Sequence, residues 1–92
     1  MPQIFKMGPY WIYFWSNEHK PLEPVHVHIS KGSPTPNATK VWITSAGNCL
    51  LCNNKSRIPK HILRNIIRMI EARNKDVLSM WIEYFGEIHY FC

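Results

Sequence analysis

The rhythm of apolar and polar positions changes about halfway along the chain. In the first half it runs with a period of two. Val25 to Ser30 alternates Val25, Val27 and Ile29 with His26, His28 and Ser30, the spacing that sends side chains to opposite faces of a strand. Tyr10 to Ser16 is dense in strand-favouring residues, with Tyr10, Ile12 and Phe14 on one face and Trp11, Tyr13 and Trp15 on the other. Ala38 to Thr44 places Val41 and Ile43 opposite Trp42. Gln3 to Met7, ended by Gly8-Pro9, is a shorter candidate. Ser45 to Asn48 is turn chemistry, after which Cys49 to Cys52 can return as a strand. Loops are predicted at Asn17 to Pro24 and Lys31 to Asn37, each broken by proline.

From Pro59 onward the period is helical. Ile62, Leu63, Ile66, Ile67 and Ile70 form one apolar stripe, and Val77, Leu78, Trp81, Ile82 and Phe85 form another. Pro59 suits a first helical turn, where its missing N–H costs nothing. Asn74 between the stripes can cap a second helix, with Asp76 favourable near its positive end; one long bent helix is the rival reading. Gly86 ends the helical part in either case. These elements predict an α+β fold: a small antiparallel sheet of three to four strands followed by one or two C-terminal helices packed on one face. The whole chain, 1–92, is expected to be a single domain, with the sheet in 1–52, the helical part in 57–86 and a tail in 87–92.

Packing the aliphatic strand faces against the helical stripes leaves an opposite face that gathers Trp11, Tyr13, Trp15, His26, His28 and Trp42. Three fates are open to it: coverage by the second helix or the tail, a protein interface, or a platform on which unpaired bases stack. The protein interface, built on Trp11, Tyr13, Trp15 and Trp42, ranks above the base platform, because no RNA-binding signature is present.

Composition narrows the class. The 92 residues are 46% apolar and only 18% charged, too apolar for a disordered chain, while the longest apolar run, Tyr10 to Trp15, is far too short to span a membrane. Eleven basic residues against six acidic ones give a net charge of +5, which favours an acidic partner. Three cysteines cannot all pair, which argues against a disulfide framework and for a reducing, cytoplasmic setting. Lys60, Arg64 and Arg68 recur every fourth residue and line one helix face, with Arg57 just before and Lys75 beyond; Glu71 dilutes the stripe. Such a stripe can track a phosphate backbone or an acidic protein surface, although a solvated helix face is the commoner outcome.

The residues able to do chemistry are His19, His26 and His28. His26 and His28 share a strand face roughly 6.5–7 Å apart, a spacing that lets two imidazoles hold one divalent transition metal. His19 is then a third ligand and Glu18 a fourth or an orienting group. Without metal the pair can act as acid and base in RNA cleavage, with Lys20 or Lys31 steadying the phosphate. The plainer alternative is that these rings pack on Trp and Tyr and hold a loop to the sheet. Cys49 and Cys52 have the spacing of a zinc knuckle, but on a strand they point to opposite faces and cannot grip one ion. No resident cofactor is therefore assigned beyond a candidate metal.

The segments Met1 to Phe5, Asn17-Glu18-His19, Pro24 to Ile29 and Asn74 to Gly86 together resemble the small bacterial domain-of-unknown-function family numbered 4160. Its members begin Met-Pro-x-Ile, carry an Asn/Asp-His before a Pro-His-x-His strand, and often end in a helix with Leu-x-x-x-Trp-x-x-Tyr-Phe. Here Leu78 to Trp81 is one residue tighter, Val25 stands where many members have a second proline, and the Lys31 to Asn37 loop is longer. The resemblance implies an antiparallel sheet followed by helices, and no established activity. It also implies a partner encoded beside the chain, of the toxin–antitoxin kind. The expected function is thus a small cytoplasmic interaction protein that binds a protein partner and can touch nucleic acid, with no membrane contact and with homo-oligomers left open. A His- or metal-dependent ribonuclease and a phage or host-defence inhibitor are the alternatives.

Overall fold

In the computed structural model, which describes residues 3–15 and 22–92, the period-two half forms one five-stranded antiparallel sheet. Its strands lie side by side in chain order: β1 (Gln3–Met7), β2 (Tyr10–Tyr13), β3 (His26–Lys31), β4 (Thr39–Ile43) and β5 (Cys49–Asn53). Two helices follow, α1 (Lys60–Ala72) and α2 (Asn74–Phe85). The fold is α+β as expected, but the sheet has five strands rather than three to four. Both marginal candidates pair. Met7 lies opposite Tyr10, so Gly8-Pro9 is a two-residue hairpin turn. Gly8 takes φ +59 at its first position, which type II′ turns need and only glycine adopts freely. Cys49 returns opposite Ile43 through a turn in which the Gly47 and Thr44 amides donate to the carbonyls of Thr44 and Asn48.

Alternation decides which face is buried. Tyr10, Ile12 and Phe14, then Val25, Val27 and Ile29, then Val41 and Ile43 all point towards the helices. There they meet Leu63, Ile66 and Ile70 of α1 and Val77 and Trp81 of α2. Most of these side chains are fully buried, each contributing roughly 1.5–3 kcal/mol of hydrophobic stabilisation. Trp81 closes the end of the core, its ring 5.1 Å from Phe14 and 4.5 Å from Phe85.

The linker to α1 is fastened by side chains that replace ladder bonds. The Thr39 amide donates to Ser56 Oγ at 2.8 Å, and Thr39 Oγ1 donates to Asn54 Oδ1 at 2.7 Å. Asn54 in turn accepts from the Ile58 amide and donates to the Ile58 carbonyl. Arg57 sits in the left-handed region, φ 56, as the chain turns into α1. The two helices are separate elements broken at Arg73. Asn74 does not cap α2: its Nδ2 donates to the Glu71 carbonyl at 2.8 Å and so closes the C-terminal end of α1. Gly86, φ 75, ends α2 with its amide on the Ile82 carbonyl. Among the described residues no helix is long and apolar enough to cross a membrane.

Candidate functional site

The sheet face turned away from the helices carries a continuous row of rings. Trp15 packs edge-on against Tyr13 at 5.5 Å, and Tyr13 lies 5.7 Å from His28. His28 meets His26 at 5.0 Å, His26 meets Trp42 at 5.6 Å, and Trp42 stacks on Phe91 at 4.8 Å with the planes nearly parallel. Strand register explains the order, because Tyr13 lies opposite His28 and His26 opposite Trp42. Lysines are interleaved at the same register. Lys40, opposite His28, reaches over Trp42 at 4.4 Å and pairs with Glu23 at 2.7 Å. Lys6, opposite Trp11, lies 5.7 Å from its ring.

The row has a buried floor and an open rim. Tyr13, His26 and Ser30 are buried. Part of the cover is the Lys31–Asn37 loop: the Thr35 amide donates to Tyr13 Oη at 3.3 Å, and Ser30 Oγ donates to the Ser33 carbonyl at 3.2 Å. Another part is the tail, held by the Val25 amide on the His89 carbonyl and the Ser45 amide on the Cys92 carbonyl, at 2.8 and 3.0 Å. Trp11, Trp15 and Trp42 remain half-buried, and Phe91 is exposed. Coverage by the tail and exposure of an aromatic patch thus coexist on one face. Of the four residues expected to make an interface, three reach solvent, while Tyr13 supports them from beneath.

His26 begins β3 at the end of the sheet, where its ring also meets Trp81 at 5.3 Å. Its Nδ1–H donates to the Pro24 carbonyl at 2.8 Å. Burial depresses its pKa, and the bond to Pro24 only partly opposes this. His28 is pushed down to about 4, first by burial and then by the neighbouring His26 and Lys40. Both rings are therefore neutral at pH 7, suited to accept a proton or to ligate a metal but not to donate a proton as an acid. The Nε2 of His28 and the Nε1 of Trp81 are buried with no hydrogen-bond partner among the described residues. His19, with Asn17, Glu18 and Lys20, lies outside the described residues. Among those described, no cluster of three His, Cys, Asp or Glu side chains is placed to hold a metal.

The remaining motifs separate in space. Cys49 and Cys52 sit on a strand, the condition on which the zinc-knuckle reading is set aside. The Cys49 thiol is raised to about 12 by burial and by the Glu71 carboxylate, which makes it unreactive. Lys60, Arg64 and Arg68 are exposed on α1 and Arg57 precedes them. Glu71 does not dilute that stripe, because its carboxylate turns to β5 and accepts the Cys49 amide at 2.9 Å.

Most of this arrangement falls within one family match. Residues 10–82 match the family described as Domain of unknown function (DUF4160). The chain belongs to this family. The match runs from the start of β2 into α2, so it takes in the His-x-His strand, Trp42 and Trp81. No curated protein and no solved structure matches the chain. Two contributors to the site were missed in the sequence. Lys40 stands two residues from Trp42 and so shares its face, a signal available from alternation. Phe91 lies in a tail without periodicity, and nothing local marks it as a stacking partner.

Proposed function

We propose that this DUF4160 chain is an interaction module that docks a protein partner on the outer sheet face, in the manner of the small paired proteins of toxin–antitoxin systems. The supporting observation is a rim of half-buried Trp11, Trp15 and Trp42 over a floor of buried Tyr13 and His26, with Lys6 and Lys40 among the rings. Tryptophan held rigidly at a surface loses little entropy on binding and dominates interface energetics. The net charge of +5 favours an acidic partner. This reading places the protein in the cytoplasm and lets the basic face of α1 approach nucleic acid. A phage or host-defence inhibitor would use the same rim and differ only in its target. A His-dependent ribonuclease has less support, since His26 is fully buried and neither ring is the imidazolium that a general acid needs at neutral pH.

The test is capture of the product of the adjacent gene by the intact chain, followed by calorimetry. The Trp11→Ala/Trp42→Ala variant should bind at least about a hundredfold more weakly, as loss of two interface anchors implies. Its circular dichroism should be unchanged. Undiminished affinity in the folded variant overturns the assignment of this face.

A further inference from the structure

Among the described residues, β1 and β5 are the two edges of the sheet, and they are built differently. β1 carries the devices that discourage strand addition: exposed Lys6, an irregularity of register between Gln3 and Phe5, and the Arg73 guanidinium over the Phe5 ring at 5.6 Å. β5 reads Cys-Leu-Leu-Cys-Asn and has no charge. Leu50 and Leu51 are 42% and 43% exposed. The Cys49 amide points away from β4, since its bond goes to Glu71. By period-two alternation the Leu51 amide and carbonyl point outward as well. The irregularity in the β4–β5 pairing begins only after Leu51.

The charge missing from this edge stands beside it. Glu71 of α1 touches β5 directly. Ile67, Arg64 and Lys60 follow it at helical intervals of four, three and four, so both basic side chains lie on the same side of α1 as Glu71. We propose that the β5 edge receives an extended acidic segment of a partner protein as a sixth strand. Its backbone pairs at Leu51, its apolar side chains cover Leu50 on the Trp42 side of the sheet, and its carboxylates, on the helix side with Leu51, meet Lys60 and Arg64. A second copy of this chain would bring the same basic ridges together, which disfavours it as the occupant. The inference goes beyond the aromatic rim and uses none of its residues.

Two fluorescein-labelled peptides serve as probes, one of five Glu-Val repeats and one of five Lys-Val repeats, with the full chain isotopically labelled for NMR. The Glu-Val peptide should bind at low salt at least about tenfold more tightly than the Lys-Val peptide. It should shift the amides of Cys49 to Asn53 and slow exchange at Leu51. The Lys60→Glu/Arg64→Glu variant, altered only on the exposed helix surface, should lose about tenfold in affinity. Leu51→Pro, which removes an outward N–H that β4 does not use, should abolish binding. If that variant does not fold, the charge-reversed one decides. Equal binding of both peptides, shifts centred on Trp42 rather than β5, or full affinity in the charge-reversed variant overturns the proposal. So does a concentration-dependent dimer through β5 in ultracentrifugation.

Discussion

The two faces of this sheet carry the same strands and do different work. The inner face is aliphatic and dry, with Val27, Ile29, Val41 and Ile43 fully buried against the helices. The outer face is aromatic and polar, and only its floor is closed. The inner face is held by burial in bulk, so its residues stabilise in proportion to apolar area. The outer face is held by individual bonds, such as Thr35 to Tyr13, Ser30 to Ser33 and Glu23 to Lys40. A face of the second kind can present tryptophans at its rim, because the inner face supplies most of the fully buried aliphatic surface.

The sharpest way to break this comparison is to remove one ring from each side. Trp81→Ala leaves a cavity among Phe14, Phe85 and His26 and should cost about 3–5 kcal/mol. Small domains sit near the lower end of the usual stability range, so this variant should be largely unfolded at 37 °C. Trp42→Ala, half-exposed and stacked only on the tail ring and its neighbours, should cost about 1 kcal/mol. Urea unfolding followed by circular dichroism measures both. Equal losses would mean that the outer row is a second core and that its exposure is incidental.

A milder probe is pH, because the outer row holds the buried imidazoles. The folded pKa values of His26 and His28 lie below the ordinary histidine value near 6.5. Below that value the unfolded chain binds protons that the folded chain refuses. Stability is therefore complete above about pH 6.5 and declines as pH falls towards 4, where His28 itself takes up a proton. For His28 the loss should be on the order of 2 kcal/mol after allowing for its partial contact with solvent. His28→Gln should flatten that part of the urea midpoint's pH dependence, while the core residues leave it untouched. A midpoint that stays constant from pH 7 to 4.5 would show that the imidazoles are better hydrated than this packing implies.

The inner face was legible in the sequence for a simple reason. One aliphatic set at period two and another at helical spacing have few ways to satisfy each other except by packing together. The outer face was legible only in membership. Alternation put His26, His28 and Trp42 on one side, but His26 is closed in by Trp81, which arrives from 55 positions away, and Trp42 by Phe91, from 49 away. Asn74 shows the same limit: a helix-breaking asparagine was visible, but which helix end it closes depends on where Glu71 lies. Gly8-Pro9 was visible as a break and not as a hairpin, because a turn type becomes evident only once both flanking strands are known to pair. His19, the expected third member of the histidine set, lies outside the described residues.

The smallest effect gives the finest test, and it concerns whether the basic ridge serves the fold at all. Lys60, Arg64 and Arg68 are exposed and make no ion pair among the described residues. Spaced by four, they repel one another along the helix. Arg64→Glu converts both repulsions into attractions and should raise stability by about 0.5 kcal/mol, with the Glu-to-Arg68 order the more favourable of the two. The same change should weaken binding of an acidic segment or of nucleic acid, because it reverses the charge at the middle of the ridge. Opposite signs in the two measurements would mark the ridge as a surface kept for a partner at a small cost to the fold. A loss of stability would instead tie Arg64 to an intramolecular carboxylate and remove the ridge from the binding argument.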